Sequence, residues 1–390
     1  MTIRVSHFVG LRGIGGVQRN FVEYINNQVE SDGELLHKIY TLGDVDSQYK
    51  ISSEIYDIRS LKNLFSLILD ITSRSRIVLF YNNITSLKLV ILLFLLPVCN
   101  LVLHERGSIW NFPYSRGVLL RLVAWKAQLI LANSNATKIM LEEKFYISHE
   151  KIRVIHNGIN IVKFTKKKLP CDNFSPFHIG FIGRLDTPKG VHVLIDAMSY
   201  LVSDNIKLTI AGDGALNSDL RLQARPFKKI SFIGRIVEPY SFLRNIDLLV
   251  VPSIREPLGN VCLEAGLCRV PVLAANIDGL PEIIENRVSG ELMDATDEVS
   301  INIPESALPL PEFVVNSDKR RLGAPKQINP LLLSEKILEL SFERDKLKYY
   351  ADELHNKVVT YFNMERYRKE LDVIYYEIKQ KKTSNKRTGR

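Results

Sequence analysis

What most constrains this chain is the alternation of strand-length apolar runs with helix-length periodic segments, sustained from the N-terminus to about residue 293. That alternation is the pattern of parallel βα units rather than of a β-sandwich or a helical bundle. It comes in two series. The first places strands near Ile3–Val9, Leu36–Leu42, Arg76–Tyr81, Asn100–His104, Leu129–Asn133 and Arg153–Ile155. The second restarts at His178–Gly183 and continues through Lys207–Gly212, Ile230–Ile233, Leu248–Pro252 and Val270–Ala274. The expected fold class is α/β, with two facing Rossmann-like doubly wound units, residues 1–162 and 177–362, joined by a linker at 163–176. Residues 298–330 hold five prolines and little periodicity, so an irregular excursion is expected there. Helical periodicity then resumes, and a last helix over 363–378 should cross back to the first unit, leaving a basic tail at 379–390.

Of the 390 residues, 46% are hydrophobic and 24% charged, the balance of a chain that folds. The net charge of +9 is concentrated: Lys379 to Arg390 carries six cations and no acid, and the run Lys163 to Lys168 carries four, leaving the body at −1. A duplex-binding face needs clustered cations on one element, so no nucleic-acid partner is expected. The two basic appendages suit weak attraction to anionic lipid heads or a phosphorylated acceptor, and equally suit solubilising termini. Cys99, Cys171, Cys262 and Cys268 form no CxxC pair and have no histidine at metal spacing. Neither a zinc site nor a disulfide framework is expected, and a reducing compartment fits. The N-terminus lacks the apolar region and cleavage site of a signal peptide. The stretch Leu87 to His104 is interrupted by Lys88, Pro97 and Asn100 and falls short of the about 20 apolar residues a membrane span needs. It reads as a buried helix ending at Pro97, then a buried strand.

Doubly wound sheets bind ligands beyond the carboxyl ends of their strands, where the strand order reverses, so the chemistry is sought in the cleft between two facing units. In FIGRLDTPKGVHVLIDAM, Arg184 ends a strand, Thr187 is the expected N-cap, Pro188 the first helical residue and Lys189 a first-turn cation. Val191, Leu194, Met198 and Leu201 follow at helical spacing. Free amides beside a guanidinium and an ammonium make an anion site suited to a diphosphate. In SIREPLGNVCLEAG, Glu256 and Glu264 are eight positions apart and Asn260 can cap the helix carrying Glu264. With most of that interval helical, the carboxylates lie about 12 Å apart, the span from a hexose to the ribose of a nucleoside diphosphate sugar. Two solvated surface glutamates are the plainer alternative.

Taken together, GRLDTPKG, AGDG at Ala211 to Gly214, SIREPLGNVCLEAG and DGLPEII at Asp278 to Ile284 resemble the donor domain of retaining glycosyltransferases of family four, GT-B fold. GIGGVQRN, with Gly15, Gly16 and Arg19, is similar to that family's GGxxR loop. HERG at His104 resembles its catalytic histidine loop, IHNGIN its domain-closing PNGVD, and MERYRKELDVIYYEI its final helix. The resemblance implies retaining transfer of a sugar from a nucleotide sugar to a growing glycan or lipid-linked acceptor, as in bacterial cell-surface polysaccharide or lipopolysaccharide biosynthesis. It implies a cytoplasmic location, at the inner face of the membrane. It implies catalytic roles for His104, Arg184, Lys189 and Glu256, with donor binding by Gly15, Gly16, Arg19, Gly183, Gly212, Gly214, Leu258, Gly259, Asn260 and Glu264. Arg184 and Lys189 would face the departing diphosphate, Glu256 the sugar hydroxyls, Glu264 the ribose, and His104 the sugar near the reacting carbon. No cofactor or metal is expected beyond the nucleotide-sugar cosubstrate, whose UDP, GDP or ADP identity stays open.

Two positions depart from the family pattern. Arg269 replaces the glycine that ends the glutamate helix, where a left-handed backbone costs a non-glycine residue about 1 kcal/mol. Asp278 replaces the first of paired glycines, in a loop expected to approach the donor. Competing readings remain. GLRGIGG is a weak match to a dinucleotide loop, and DVD at Asp44 to Asp46 could be the metal-binding DxD of the other glycosyltransferase fold. A non-catalytic carbohydrate- or nucleotide-binding module would use the same scaffold. A membrane-interaction protein is disfavoured because Arg116, Arg121 and Lys126 fall five apart and share no helix face.

Overall fold

The computed structural model describes residues 2–13, 15–27, 35–82, 87–161, 176–201, 203 and 205–388. The basic run at 163–168 and Cys171 lie outside them. The chain divides into two units: Met1–Asn160 with Phe362–Arg390, and Ile161–Tyr361.

In the first unit, β1 (Ile3–Phe8), β2 (Leu35–Thr41), β3 (Ile55–Asp57), β4 (Arg76–Tyr81), β5 (Leu101–Glu105), β6 (Leu129–Ala132) and β7 (Ile152–Val154) form one parallel sheet. Its order is β3-β2-β1-β4-β5-β6-β7, reversing between β1 and β4. The central strand β4 reads as a nearly continuous apolar run, as in sheets covered on both faces. The edge strand β3 was absent from the sequence reading because three half-buried residues establish no period.

The chain returns to this unit at its end. The Ile159 amide donates to the Phe362 carbonyl at 2.7 Å and the Met364 amide to the Ile159 carbonyl at 3.0 Å. The Asn363 side chain accepts the Arg366 amide at 2.7 Å, which starts the helix Met364–Thr388. Met364, Tyr367, Leu371, Ile374, Tyr375 and Ile378 recur at helical spacing and are buried in one core with Val5, Ile77 and Leu79 of the sheet. The helix does not stop at 378 as expected. It continues to Thr388, so most of the basic tail is helical, and Lys379 donates to the Ser75 carbonyl at 2.9 Å.

A second expectation fails at Leu87–Leu95. The helix exists, and Val90 and Leu93 are buried, but Leu87, Ile91, Phe94 and Leu95 are 51–75% exposed. The eight apolar residues in a row from Leu89 to Leu96 look the same whether one side or both are covered. The following strand, β5, is buried throughout.

In the second unit, β8 (Phe177–Ile182), β9 (Ile206–Ala211), β10 (Ile230–Gly234), β11 (Leu248–Val251), β12 (Val272–Ala275) and β13 (Glu291–Met293) form a parallel sheet. Its order is β10-β9-β8-β11-β12-β13, reversing between β8 and β11. The proline-rich segment is not irregular throughout. β14 (Ala295–Asp297) pairs antiparallel with β17 (Gln327–Ile328), and β15 (Val314–Asn316) with β16 (Arg321–Gly323). Strands of two or three residues between prolines fall below what alternation can register.

Candidate functional site

The loops after β8 and β11 emerge side by side at the strand-order reversal of the second unit, the position doubly wound sheets use for ligands. Close backbone contact holds them. The Pro188 carbonyl accepts amides of Ile254 at 2.9 Å and Arg255 at 3.1 Å. Gly190 has φ +64, and a Cβ there would lie 2.0 Å from the Pro252 carbonyl oxygen. Gly183 and Gly212 meet in the same way, since a Cβ on Gly212, at φ +154, would stand 1.8 Å from the Gly183 oxygen. The Leu185 amide then donates to Asp213 O at 3.0 Å, and Gly214 lies against the Leu185 backbone. The expected glycines therefore have a steric role: they let three loops stack backbone to backbone.

Local geometry corrects the expected helix starts. Thr187 is not the N-cap of a long helix. Thr187–Lys189 is a separate 3-10 turn preceded by Asp186, and left-handed Gly190 separates it from the helix Val191–Tyr200. Lys189 thus sits on a turn, not in a first helical turn. Likewise Gly259, at φ 101, occupies the N-cap position of the helix Asn260–Leu267, so Asn260 is its first residue and not its cap. Only half of the interval from Glu256 to Glu264 is helical. Leu258 is buried under this loop and Glu264 is half-buried on the helix.

The charged groups of these loops come paired. The Arg184 Nε meets the Asp186 carboxylate at 2.8 Å, with the Arg184 side chain 58% exposed. The Lys189 ammonium bonds the Glu256 carboxylate, and both side chains are largely sheltered. The Ser253 hydroxyl donates to the same carboxylate at 3.4 Å. Arg255 is close to both Glu256 and Asp278, and burial pulls its pKa down. The structure brings Arg184, Lys189 and Glu256 into one cluster and adds Asp186, Ser253 and Arg255, which sequence reasoning had passed over. Asp186 stood two residues from Arg184, and that spacing was the available signal.

Both family departures adopt the backbone that a glycine would. Arg269 has φ 54 and Asp278 φ 45. Arg269 is tied to Asp352 by an ion pair. Asp278 is fully buried. One carboxylate oxygen accepts the Glu256 amide at 2.8 Å and the other the Val315 amide at 2.7 Å. Its side chain is turned into the fold and is not available as a donor contact. Burial pushes its carboxyl up to about 7, against the pull of those two amides and of Arg255.

In the first unit, Gly15 precedes the helix Gly16–Asn26, and the Arg19 amide donates to the Gly15 carbonyl at 3.0 Å. His104 differs from expectation. It lies on β5 at 0% exposure, with its ring 5.0 Å from that of Tyr81 and 6.4 Å from that of Tyr367. Neither ring nitrogen has a hydrogen-bond partner. Burial first, then the Arg106 charge, push its pKa well below the ordinary histidine value. A neutral ring sealed at zero exposure touches no sugar in this conformation. Two residues on, the buried Arg106 guanidinium bonds the side-chain oxygens of Asn20, at 2.5 Å, and of Asn157, also at 2.5 Å. Asn20 in turn donates to the Gly158 carbonyl. Arg106 thereby joins the GGVQRN, HERG and IHNG segments. HERG contains it two residues after the histidine, and an arginine in a motif does not by itself indicate which segments it ties together.

Asp44 of the DVD triplet pairs with Arg59 at 2.6 Å, and Asp46 accepts the Gln48 amide at 3.1 Å. Both act as loop carboxylates.

Comparison with known proteins bears on the same regions. Residues 169–302 match the family described as glycosyl transferases group 1. The capsular polysaccharide biosynthesis glycosyltransferase CapM of Staphylococcus aureus is 29% identical over 210 residues, 49% of this chain and 54% of CapM. The N-acetylgalactosamine-N,N'-diacetylbacillosaminyl-diphospho-undecaprenol 4-alpha-N-acetylgalactosaminyltransferase of Campylobacter jejuni is 28% identical over 187 residues, 47% of this chain and 51% of the enzyme. The chain spans about half the length of these curated relatives. Over nearly its whole length it shares the fold of Anabaena HepE, crystallised with UDP-glucose, at a TM-score of 0.71 and 19% identity, covering 96% of this chain and 100% of HepE. The lipopolysaccharide outer core galactosyltransferase WaaB superposes with a TM-score of 0.66 at 15% identity, covering 96% of this chain and 100% of WaaB. The two Rossmann-like units have the GT-B fold of these solved structures, and residues 169–302 are similar to the glycosyl transferases group 1.

Proposed function

We propose that this chain is a retaining, metal-independent glycosyltransferase that moves a sugar from a nucleotide-sugar donor to a growing glycan or lipid-linked glycan in bacterial cell-surface polysaccharide synthesis. The observation that carries the reading is the cluster at the β8/β11 reversal, where Arg184 and Lys189 stand beside Glu256 on loops fixed by backbone contacts. Negative charge grows on the departing diphosphate while the sugar becomes oxocarbenium-like, so cations aimed at that oxygen stabilise the transition state more than the bound substrate. Glu256 holds the Lys189 ammonium in place before substrate arrives and is the group beside which sugar hydroxyls would lie. Glu264, eight residues further along and one turn into the helix Asn260–Leu267, is the ribose candidate. With the DVD carboxylates engaged in their own loop, the charge for the leaving group comes from Arg184 and Lys189. We assign retention to front-face attack, and an inverted anomer in the product would overturn that assignment.

The acceptor side of this reading includes a lipid surface. The helices Leu61–Thr72, Leu87–Leu95 and Gly117–Lys126 of the first unit expose Phe65, Ile91, Phe94, Leu95, Val118 and Trp125. The Lys126 ammonium lies over the Phe94 and Trp125 rings, and Arg121 is on the same helix as Lys126, with Arg116 just before it. The sole acid on these helices, Asp70, is buried against Arg76 at 2.8 Å. Aromatic and aliphatic groups flanked by cations without exposed acids suit the interface of an anionic bilayer. A second copy docked symmetrically on the same face would set these cations against their own counterparts. The exposed apolar residues are spread over these three helices of the first unit.

The experiment is a screen of UDP-, GDP- and ADP-sugars for thermal stabilisation of the full chain, followed by turnover with the donor found. Hydrolysis or transfer that survives excess chelator supports the reading. Binding without turnover favours the non-catalytic module, and chelator-abolished activity rescued by manganese favours DVD. Co-sedimentation with anionic vesicles, reduced at least about tenfold by Phe94→Ser with Trp125→Ser, checks the lipid face. Binding that is undiminished by those changes, or lost on deleting 379–390, removes it.

A further inference from the structure

We propose that Asp278 is a positioning residue: it fastens the proline-rich segment 298–328 to the loop carrying Glu256, and so fixes where the Lys189–Glu256 pair meets a bound donor. The proposal rests on the reading of that pair as part of a nucleotide-sugar site, and extends it to a segment the family resemblance does not cover.

Asp278 makes contact in both directions at once. Toward the site loop, its carboxylate accepts the Glu256 amide at 2.8 Å, and the Gly279 amide beside it donates to the Glu256 carbonyl at 3.1 Å. Toward the segment, its other carboxylate oxygen accepts the Val315 amide at 2.7 Å, its own amide donates to the Val315 carbonyl at 2.9 Å, and its carbonyl accepts the Ser317 hydroxyl at 2.5 Å. The residue is completely buried and held at φ 45. Glycine would adopt that backbone more readily but would offer neither carboxylate bond. An aspartate here is therefore matched to the segment.

The segment grips the neighbouring loop as well. The Leu308 amide donates to the Asp186 carboxylate at 3.3 Å, the same group that holds Arg184. Gln327 bonds buried His192 at 3.0 Å, on the helix that follows Lys189. Residues 308, 315, 317 and 327 thus support both loops of the candidate site. Arg255 and Glu256 are the charged groups beside the Asp278 carboxylate, and the segment presents backbone amide and hydroxyl groups to it.

Asp278→Asn and Asp278→Gly in the full chain separate the roles. Asparagine tolerates the left-handed backbone but has one acceptor oxygen for two amides, whereas glycine keeps the backbone and removes both bonds. Two readouts are taken: the rate of limited proteolysis within 298–328 without ligand, and the KM and kcat for the donor identified by the screen. For Asp278→Gly we expect cleavage faster by about tenfold or more and KM raised about tenfold, each lost buried bond being worth up to that factor, with Asp278→Asn between it and the parent. The parent should lose donor affinity on acidification below about pH 7, as protonation turns one acceptor into a donor, and Asp278→Asn should not follow that profile. Unchanged proteolysis in Asp278→Gly overturns the link to the segment, and faster proteolysis with unchanged KM overturns the positioning role. If no nucleotide sugar binds the parent chain, the proposed function falls, and the proteolysis arm alone decides whether Asp278 fastens the segment. Should Asp278→Gly not fold, Ser317→Ala removes one outer bond and is read the same way.

Discussion

The two strand-order reversals are built alike and equipped differently. At β8/β11, Lys189 is matched with Glu256 and Arg184 with Asp186, close enough to the surface for a ligand anion to compete for the cations. In the first unit, His7, His104 and Arg106 beside the β1/β4 reversal are buried, while Arg12 of the loop after β1 and Arg19 of the helix that follows it are not. His7 bonds His37 at 2.9 Å and Tyr81 at 3.2 Å, His104 lies under Tyr81 and Tyr367, and Arg106 is held by asparagine oxygens. The first arrangement can exchange partners, and the second can only be packed. A site for a charged substrate requires the former, which is why we place the diphosphate chemistry in the second unit and give His104 an architectural role.

That contrast can be broken by mutation. Lys189→Ala should lower kcat by about 10² to 10³, and it also leaves the sheltered Glu256 without its partner. An unchanged kcat removes Lys189 from the reaction. Gly190→Ala should destabilise the second unit by about 3 kcal/mol, from the left-handed backbone and the Pro252 carbonyl together, measured by urea unfolding. His104→Ala should cost about 2 kcal/mol of stability as a buried ring lost while turnover stays within about threefold. A hundredfold loss of turnover in a folded protein would restore His104 to the reaction. The smallest effect is expected for Arg269→Gly, which relieves about 1 kcal/mol of left-handed strain and forfeits a half-exposed ion pair worth less than about 1 kcal/mol, so the net change should be near zero.

Acid should affect the two regions in opposite senses. Burial lowers His37 to about 4 and acts in the same direction on His7 and His104. The unfolded chain takes up these protons first as pH falls below about 6.5, so the stabilisation present above that pH is lost on the way to pH 4. At pH 5 the loss from His37 alone is about 2 kcal/mol. Asp278, raised to about 7, is protonated first in the folded state, so its contribution improves as pH falls from 7 toward 4. The chain's two tryptophans, Trp110 and Trp125, lie in the first unit. Their fluorescence in urea should show a midpoint falling between pH 7.5 and 5, and a midpoint that rises would contradict the account of the histidine cluster.

Much of this was legible in the residues. Long apolar runs gave most of the two sheets' strands, and the motifs holding Gly183, Gly212 and Gly214 marked the loops beyond them, as donor-binding residues and not for the backbone stacking that the structure shows. The motif around Arg184, Lys189 and Glu256 located the cluster. Its pairing was not legible, since which carboxylate meets which cation depends on loops 67 residues apart in the Lys189–Glu256 case. The burial of His104 was not legible, because a motif carries residue type without burial. The exposed side of Leu87–Leu95 and the short strands of 298–330 were missed for a related reason: apolar count does not report which face is covered, and two or three residues make no period.

The most direct test is a crystal structure of the full chain with its stabilising nucleotide sugar. The account predicts the diphosphate beyond the ends of β8 and β11, with phosphate oxygens within hydrogen-bonding distance of the Lys189 ammonium and the Arg184 guanidinium. A diphosphate bound away from both side chains would contradict it.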